Sequence, residues 1–422
     1  MGLIRRLRPI LFISIIFLSA CMGRGGYEEQ EQVNIKIAYW DEKLFDENYG
    51  NFLMLEFPHI QYEIIPIRSI YSSEDPYEEL AEMVEREMPD LLILQPAMHN
   101  YLLSQDKFES LDIHMKNHNL PLEEFHPGVL ASLRSESDHL LYGIAPTFTQ
   151  NLLFYNEDLF RSTGVPIPEE QLMWSDFFTL IGRFTQEEGA PGMVMEGGTL
   201  WGFLLQAGTL QGLDFVEADT GNTILATDQW EALTEQVTDL VRNQSLVFTD
   251  GSQLLQGDAF QRGEAATTFQ TDSYLSVLAN QEDFVWRYSL QPINANGISA
   301  GVQLEQVWSI AKGAAQREGA MEVLSFILSD NMERIFQQQG KLPTRIPTDT
   351  TEDNLLELYE YNVGSHVGDY SQIIENLPDR FKLALAEAGE REIEAILQGT
   401  TEVKAALQRI EVESEAAWPV TE

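Results

Sequence analysis

Cysteine is almost missing from this chain: one residue, Cys21, in 422. A lone thiol cannot close an intramolecular disulfide, so stability has to come from packing. Basic residues are scarce as well, 26 Lys and Arg against 67 Asp and Glu, for a formal charge of −41 at pH 7. A surface of that sign repels phosphate backbones and anionic lipid, which argues against nucleic acid as a partner. Beyond residue 20 no segment approaches the ~20 apolar residues that a membrane helix needs. Histidines number seven, and only His114 and His118 share one-face helical spacing. The Glu that a zinc-peptidase helix places between such a pair is absent, and no third ligand stands out, so no metal is expected. Neither a Gly-x-Ser-x-Gly elbow nor a phosphate-cradling glycine loop occurs. The chain reads as a non-enzyme without a cofactor.

What is present is a folded protein, because 44% of the residues are hydrophobic, too many for a disordered polyanion. The N-terminus carries Arg5, Arg6 and Arg8, then an apolar run over 10–18 broken only by Ser14, then Leu18-Ser19-Ala20-Cys21. This arrangement resembles a bacterial lipoprotein signal, with an ordinary secretory signal as the alternative. The resemblance implies that residues 1–20 are removed and that Cys21 is lipidated, as by palmitate, with 21–32 as a tether. The protein would then sit outside the cell membrane, held by its lipid, in a Gram-positive cell. Loss of residues 1–20 removes three arginines and no acid, which takes the charge from −41 to −44. About 400 remaining residues exceed what one core usually serves, so two domains are expected.

Val33, Ile35, Ile37 and Tyr39 alternate as in a strand, and 60–67 reads as a second. Asp75-Pro76 reads as an N-cap with proline at the first helical position, followed by Leu80, Met83, Val84 and Met88 at helical spacing. The run 89–94 suits a strand covered on both faces, which completes a βαβ unit. A long extended stretch over 140–156 follows. Trp174, Phe177, Phe178, Ile181 and Phe184 mark an amphipathic helix with Ser175 as its expected cap. A late helix is expected to start at Gly399-Thr400, with Val403, Ala406, Leu407 and Ile410 on one face.

Four segments together resemble the extracellular solute-binding protein family 1, the capture subunits of ABC importers of sugars. The first is Leu141-Tyr142-Gly143-Ile144 with Phe154-Tyr155-Asn156-Glu157-Asp158-Leu159-Phe160 and Gly164-Val165-Pro166. The second is Trp174-Ser175-Asp176-Phe177. The third is Phe260-Gln261-Arg262-Gly263-Glu264-Ala265-Ala266, where members usually continue with Met and this chain has Thr267. The fourth joins Trp308-Ser309-Ile310-Ala311, a helix over 320–329, and Gly340-Lys341-Leu342-Pro343-Thr344. The resemblance implies a two-lobed α/β fold of the periplasmic-binding-protein type, class II, with three hinge crossings and a cleft between lobes. Crossings are expected near 146–150, 292–296 and 331–336. Lobe one would be 33–147 with 294–331, and lobe two 148–293 with 332–422.

Sugar capture needs apolar faces for ring C–H groups and amides or carboxylates for every hydroxyl, because each buried one left unpaired costs roughly 1–3 kcal/mol. Such groups belong where strands end. Trp40 and Asp41 follow the first strand, and Gln95 follows the buried one. Thr149 and Gln150 lie at the first expected crossing, and Trp201 follows a Gly-Gly loop as a second stacking face. By resemblance Gln270, Asp272 and Tyr274 belong to a ligand loop, as do Gln303 and Glu305, although of that loop's glycines only Gly301 remains. Tyr370 falls where members offer a late aromatic contact.

The expected function is capture of a mono- or oligosaccharide by hinge closure, as a monomer, and delivery to permease subunits. Two alternatives keep the fold: a polyamine or other cation held by Asp41, Asp272 and Glu305 beside Trp40 and Tyr274, or a sensor for a membrane receptor. A hydrolase is a third, from a different class.

Overall fold

The structure is a computed structural model that describes residues 32–419 except 136, 186–188, 218–219, 254, 256, 298, 300–301, 348–357, 360–369, 371–372 and 375–376. Cys21, the signal segment, all but the last residue of the tether, and Gly301 lie outside the described residues. In chain order the strands are β1 (Val33–Tyr39), β2 (Ile60–Pro66), β3 (Leu91–Leu94), β4 (Thr147–Phe148), β5 (Asn151–Asn156), β6 (Met193–Glu196), β7 (Leu246–Thr249), β8 (Thr267–Thr271), β9 (Trp286–Leu290), β10 (Val307–Ile310) and β11 (Leu342–Pro343).

The first sheet runs β10-β3-β1-β2, with β1 parallel to both β2 and β3, and β10 antiparallel to β3. Successive side chains of β3 enter different cores: Leu91 and Ile93 join one cluster, Leu92 and Leu94 another. A strand buried on both faces has no use for a polar residue, which is why its sequence reads as an unbroken apolar run. The helix Pro76–Glu87 links β2 to β3, and Asp75 accepts a hydrogen bond from the Glu78 amide at 3.1 Å. Met88, expected on its apolar face, is instead the left-handed residue that ends it (φ 49°) and is exposed. The chain must turn sharply there, because Asp90 is fixed by the Lys36 amide at 3.0 Å and the Gln316 amide at 2.8 Å.

The second sheet runs β7-β6-β8-β5-β9. In it β6 is parallel to β7 and β8, while β5 is antiparallel to β8 and β9. Between the sheets the extended stretch bridges Trp308 from Ile144, then forms β4 against β11, then enters β5. Near the second expected crossing Ile293 bridges Met173 beside the second sheet, and Gln303 bridges Thr149. Residues 331–336 lie inside the helix Asp330–Gln338, and the extended chain that pairs with β4 comes only at β11.

The aromatic helix is Trp174–Ile181, and Trp174 and Phe177 pack on Phe269 of β8 with ring centroids 5.3 and 4.9 Å apart. Its cap position is Met173, so Ser175 is already inside the first turn. The last helices, Asp379–Leu397 and Val403–Glu415, are joined by the turn that holds Gly399, so the second begins after Glu402 and not at Thr400. Gly389, mid-helix, lies flat against Trp201: a Cβ there would come within 2.2 Å of the indole. Gly389→Ala is therefore expected to lower stability by about 1–3 kcal/mol from overpacking, despite alanine's better helix propensity. Urea denaturation checks this, and an unchanged midpoint would show that the contact has slack.

Candidate functional site

The parallel strands β1, β2 and β3 end on one edge, so the residues after them share a surface. Trp40 follows β1 and is half-buried, with its ring centroid 5.1 Å from that of Tyr71. The Arg68 guanidinium lies 5.8 Å from the same indole centroid. Gln95, exposed after β3, has its amide 3.5 Å from the Tyr71 hydroxyl. Arg68 and Tyr71 follow the end of β2 on this same edge, where the strand-end rule also places binding groups.

The crossing supplies a second group. Thr149 and Gln303 exchange backbone hydrogen bonds of 2.9 and 2.8 Å. Next to them, the Gln150 amide donates to Asp272 Oδ1 at 2.9 Å and the Asp272 amide donates to the Gln150 carbonyl at 3.0 Å. Tyr49 donates to Gln306 Oε1 at 3.0 Å, and Gln306 Nε2 donates to the Tyr39 hydroxyl at 3.3 Å, which ties the 303–306 segment to the first sheet. Burial, with the Glu305 charge nearby, lifts the Asp272 carboxyl from 3.8 to about 6. Thr149, Gln150, Asp272, Gln303 and Glu305 are thus brought together.

Beside this crossing, a cavity of about 260 Å³ lies between the second sheet and the helix Leu200–Leu210. Trp174, Phe203 and Phe269 give it aromatic walls, and Asn151, Gln206, Gln270 and Gln291 bring amides to it. Its two carboxylates are already engaged. Glu196 accepts from the Ala259 amide at 2.7 Å and from Arg262 at 3.1 Å. Asp258 accepts from the amides of Phe260 and Gln261 at 2.9 and 3.0 Å, and from the Tyr274 hydroxyl at 2.6 Å. Gln291 is 5% exposed, and its Oε1 has no hydrogen-bond partner.

A family model described as bacterial extracellular solute-binding protein matches residues 74–333, more than half of the chain. The chain belongs to that family. Solved structures of similar fold include an extracellular solute-binding protein family 1 from Alicyclobacillus acidocaldarius (TM-score 0.69, 12% identity, 92% of this chain and 99% of that one). The sugar-binding protein MalE from Xanthomonas citri matches with a TM-score of 0.61 and 16% identity over 91% of this chain and 97% of its own. An ABC substrate-binding protein from Listeria monocytogenes in complex with cycloalternan matches with a TM-score of 0.55 and 15% identity, over 92% and 99% of the two chains. The two-lobed α/β fold expected from the sequence is the fold of this solute-binding protein.

Several expected site residues are placed elsewhere. Trp201 is 3% exposed and packs on Gly389, so its indole is core and not a stacking face. The Tyr274 ring lies 5.1 Å from that of Phe154 and its hydroxyl is spent on Asp258. Tyr370 leans on Phe215, 6.2 Å between centroids, within the second lobe's core cluster. Asp41 caps the short helix Glu42–Phe45 by accepting from the Leu44 amide at 2.8 Å. Gln270 alone of the expected residues lines the cavity, and its other amides gave no sequence signal, being single Asn and Gln residues on separate elements. His114 and His118 face Glu109 and Glu318 at 3.6 and 3.7 Å, and no metal-binding group of three side chains occurs among the described residues.

Asp272 generates a pH prediction. With its folded-state value raised to about 6, the native protein holds a proton there that the unfolded chain releases near pH 4. Its contribution to stability therefore falls as pH rises from about 4 through about 6, and is constant above. Asp272→Asn keeps an acceptor for the Gln150 amide and removes the titration. Relative to the native protein, the variant should gain up to about 3 kcal/mol between pH 4 and pH 8. Paired urea titrations read this difference, and parallel pH profiles would rule out a buried proton on Asp272.

Proposed function

We propose that this solute-binding protein captures a carbohydrate in the cleft between its two lobes. The observation that carries the solute class is the chemistry of the lobe-two cavity. Glu196 is paired with Arg262 and Asp258 accepts from three of the chain's own donors, while several amides and aromatic walls line the rest. Amides donate and accept at once, as hydroxyls do, and carry no charge, so they match a sugar better than an amine. The kinship of fold with proteins that bind sugars points the same way.

The sugar would meet Trp40, Tyr71 and Gln95 on lobe one, and Gln270 with the cavity on lobe two, with Thr149, Gln150, Asp272, Gln303 and Glu305 between. Contacts on both lobes are required, because only a ligand that binds the closed form better can shift the equilibrium toward it. Micromolar affinity, about −8 kcal/mol, suits capture followed by release. Delivery is to an ABC permease, with Cys21 lipidated and the monomer tethered on the outer face of a Gram-positive membrane. A cationic solute is the second reading, favoured by Asp272 and Glu305 at the crossing.

The test is a thermal-shift screen of the chain from Met22 to Glu422 against sugars, oligosaccharides, polyols and polyamines. A ligand at 100 times its dissociation constant stabilises by ~2.7 kcal/mol. Response to one carbohydrate family is the expected result, with at least tenfold weaker binding in Trp40→Ala. Response to amines alone would transfer the site to the acidic pair.

A further inference from the structure

We infer that the sugar this protein captures carries a protonated amino group, and that Asp258 in the lobe-two cavity receives it. This rests on the carbohydrate reading and narrows the substrate class at the same site. The charge at the cavity has one sign. Glu196 and Asp258 line it, and among the described residues no Lys or Arg does. Glu196 shares Arg262 with Glu264, at 3.1 and 2.9 Å, so one guanidinium serves two carboxylates. Asp258 has no basic partner among the described residues. Its Oδ1 accepts from the amides of Phe260 and Gln261, and its Oδ2 from the Tyr274 hydroxyl. These three donors are neutral, so they leave its charge whole. An ionised carboxylate offers about four acceptor sites, so one remains for a ligand. Asp258 is half-buried, where a charge is screened less than at an open surface and attracts a cation more strongly.

An acid alone does not define a ligand, and the rest of the lining completes the pattern. Gln291 lines the same cavity, is 5% exposed, and its Oε1 has no donor. A buried acceptor in that state is costly until a ligand N–H or O–H reaches it. Asn151, Gln206 and Gln270 add amides that pair with hydroxyls. Trp174, Phe203 and Phe269 supply aromatic walls, which suit sugar C–H groups and also attract an ammonium group. A polyamine would use the acid and the rings and leave the amides idle. A neutral sugar would use the amides and leave the negative charge unopposed. A sugar ring with several hydroxyls and one ammonium group uses all of them.

The experiment is calorimetric titration of the Met22 to Glu422 protein with glucosamine and galactosamine, as single sugars and as oligomers of two to four rings. Their N-acetylated forms, the glucose and galactose counterparts of the same length, and spermidine complete the panel. The expected result is that the free-amine form of one series binds at least tenfold tighter than both of its counterparts. Raising NaCl from about 0.05 to about 0.5 M should weaken the amine and not the neutral forms, because the ammonium–carboxylate attraction is screened. In Asp258→Asn, which keeps an acceptor for the two amides and removes the charge, the ratio of amine to neutral affinity should fall toward one. If that variant fails to fold, the ratio in the native protein and its salt dependence still decide. A neutral or acetylated form that binds as tightly as its amine, or a preference that survives in Asp258→Asn, would overturn the inference and leave carbohydrate capture standing. Silence of this panel while the thermal-shift screen finds a neutral sugar would do the same. If spermidine alone binds, or no sugar binds in either experiment, the carbohydrate reading and this inference fall together.

Discussion

The backbone exchange between Thr149 and Gln303, with Gln150 and Asp272 locked to each other beside it, is the constraint on which the rest of the structure depends. It places the entry to β10, a first-sheet strand, and the end of β8, a second-sheet strand, on the same few residues of one passage. Buried backbone groups must find partners, and here each passage supplies them to the other. The edges where the strands of the two lobes end are thereby held beside one crossing. The β4–β11 pair sits in the same short region.

Much of the fold was legible because its signals are local. Strand β1, the Asp75 cap and the apolar run at β3 follow from periodicity and turn chemistry within a few residues. The departures have local physical causes: Met88 is drawn off its helix face by the turn that Asp90 anchors, and Ser175 is displaced from the cap because the helix starts one residue earlier.

The site was less legible, and unevenly so. Residues after parallel strands could be named from order alone, which is how Trp40 and Gln95 were reached. Aromatics were overread: Trp201, Tyr274 and Tyr370 had the right residue type in the right stretch, but each is engaged within a core that only the three-dimensional arrangement reveals. The cavity amides were the reverse case. Asn151, Gln206 and Gln291 are unremarkable in sequence and acquire meaning only when β5, a helix and the end of β9 bring them together.

The measurement that bears most directly on interlobe carbohydrate capture is a crystal structure of the Met22 to Glu422 protein grown with the oligosaccharide that binds it best. The predicted result is density for one saccharide spanning the crossing, in contact with Trp40 on one side and with Gln270 on the other. Sugar density confined to one lobe's outer surface, with no contact to either residue, would contradict it.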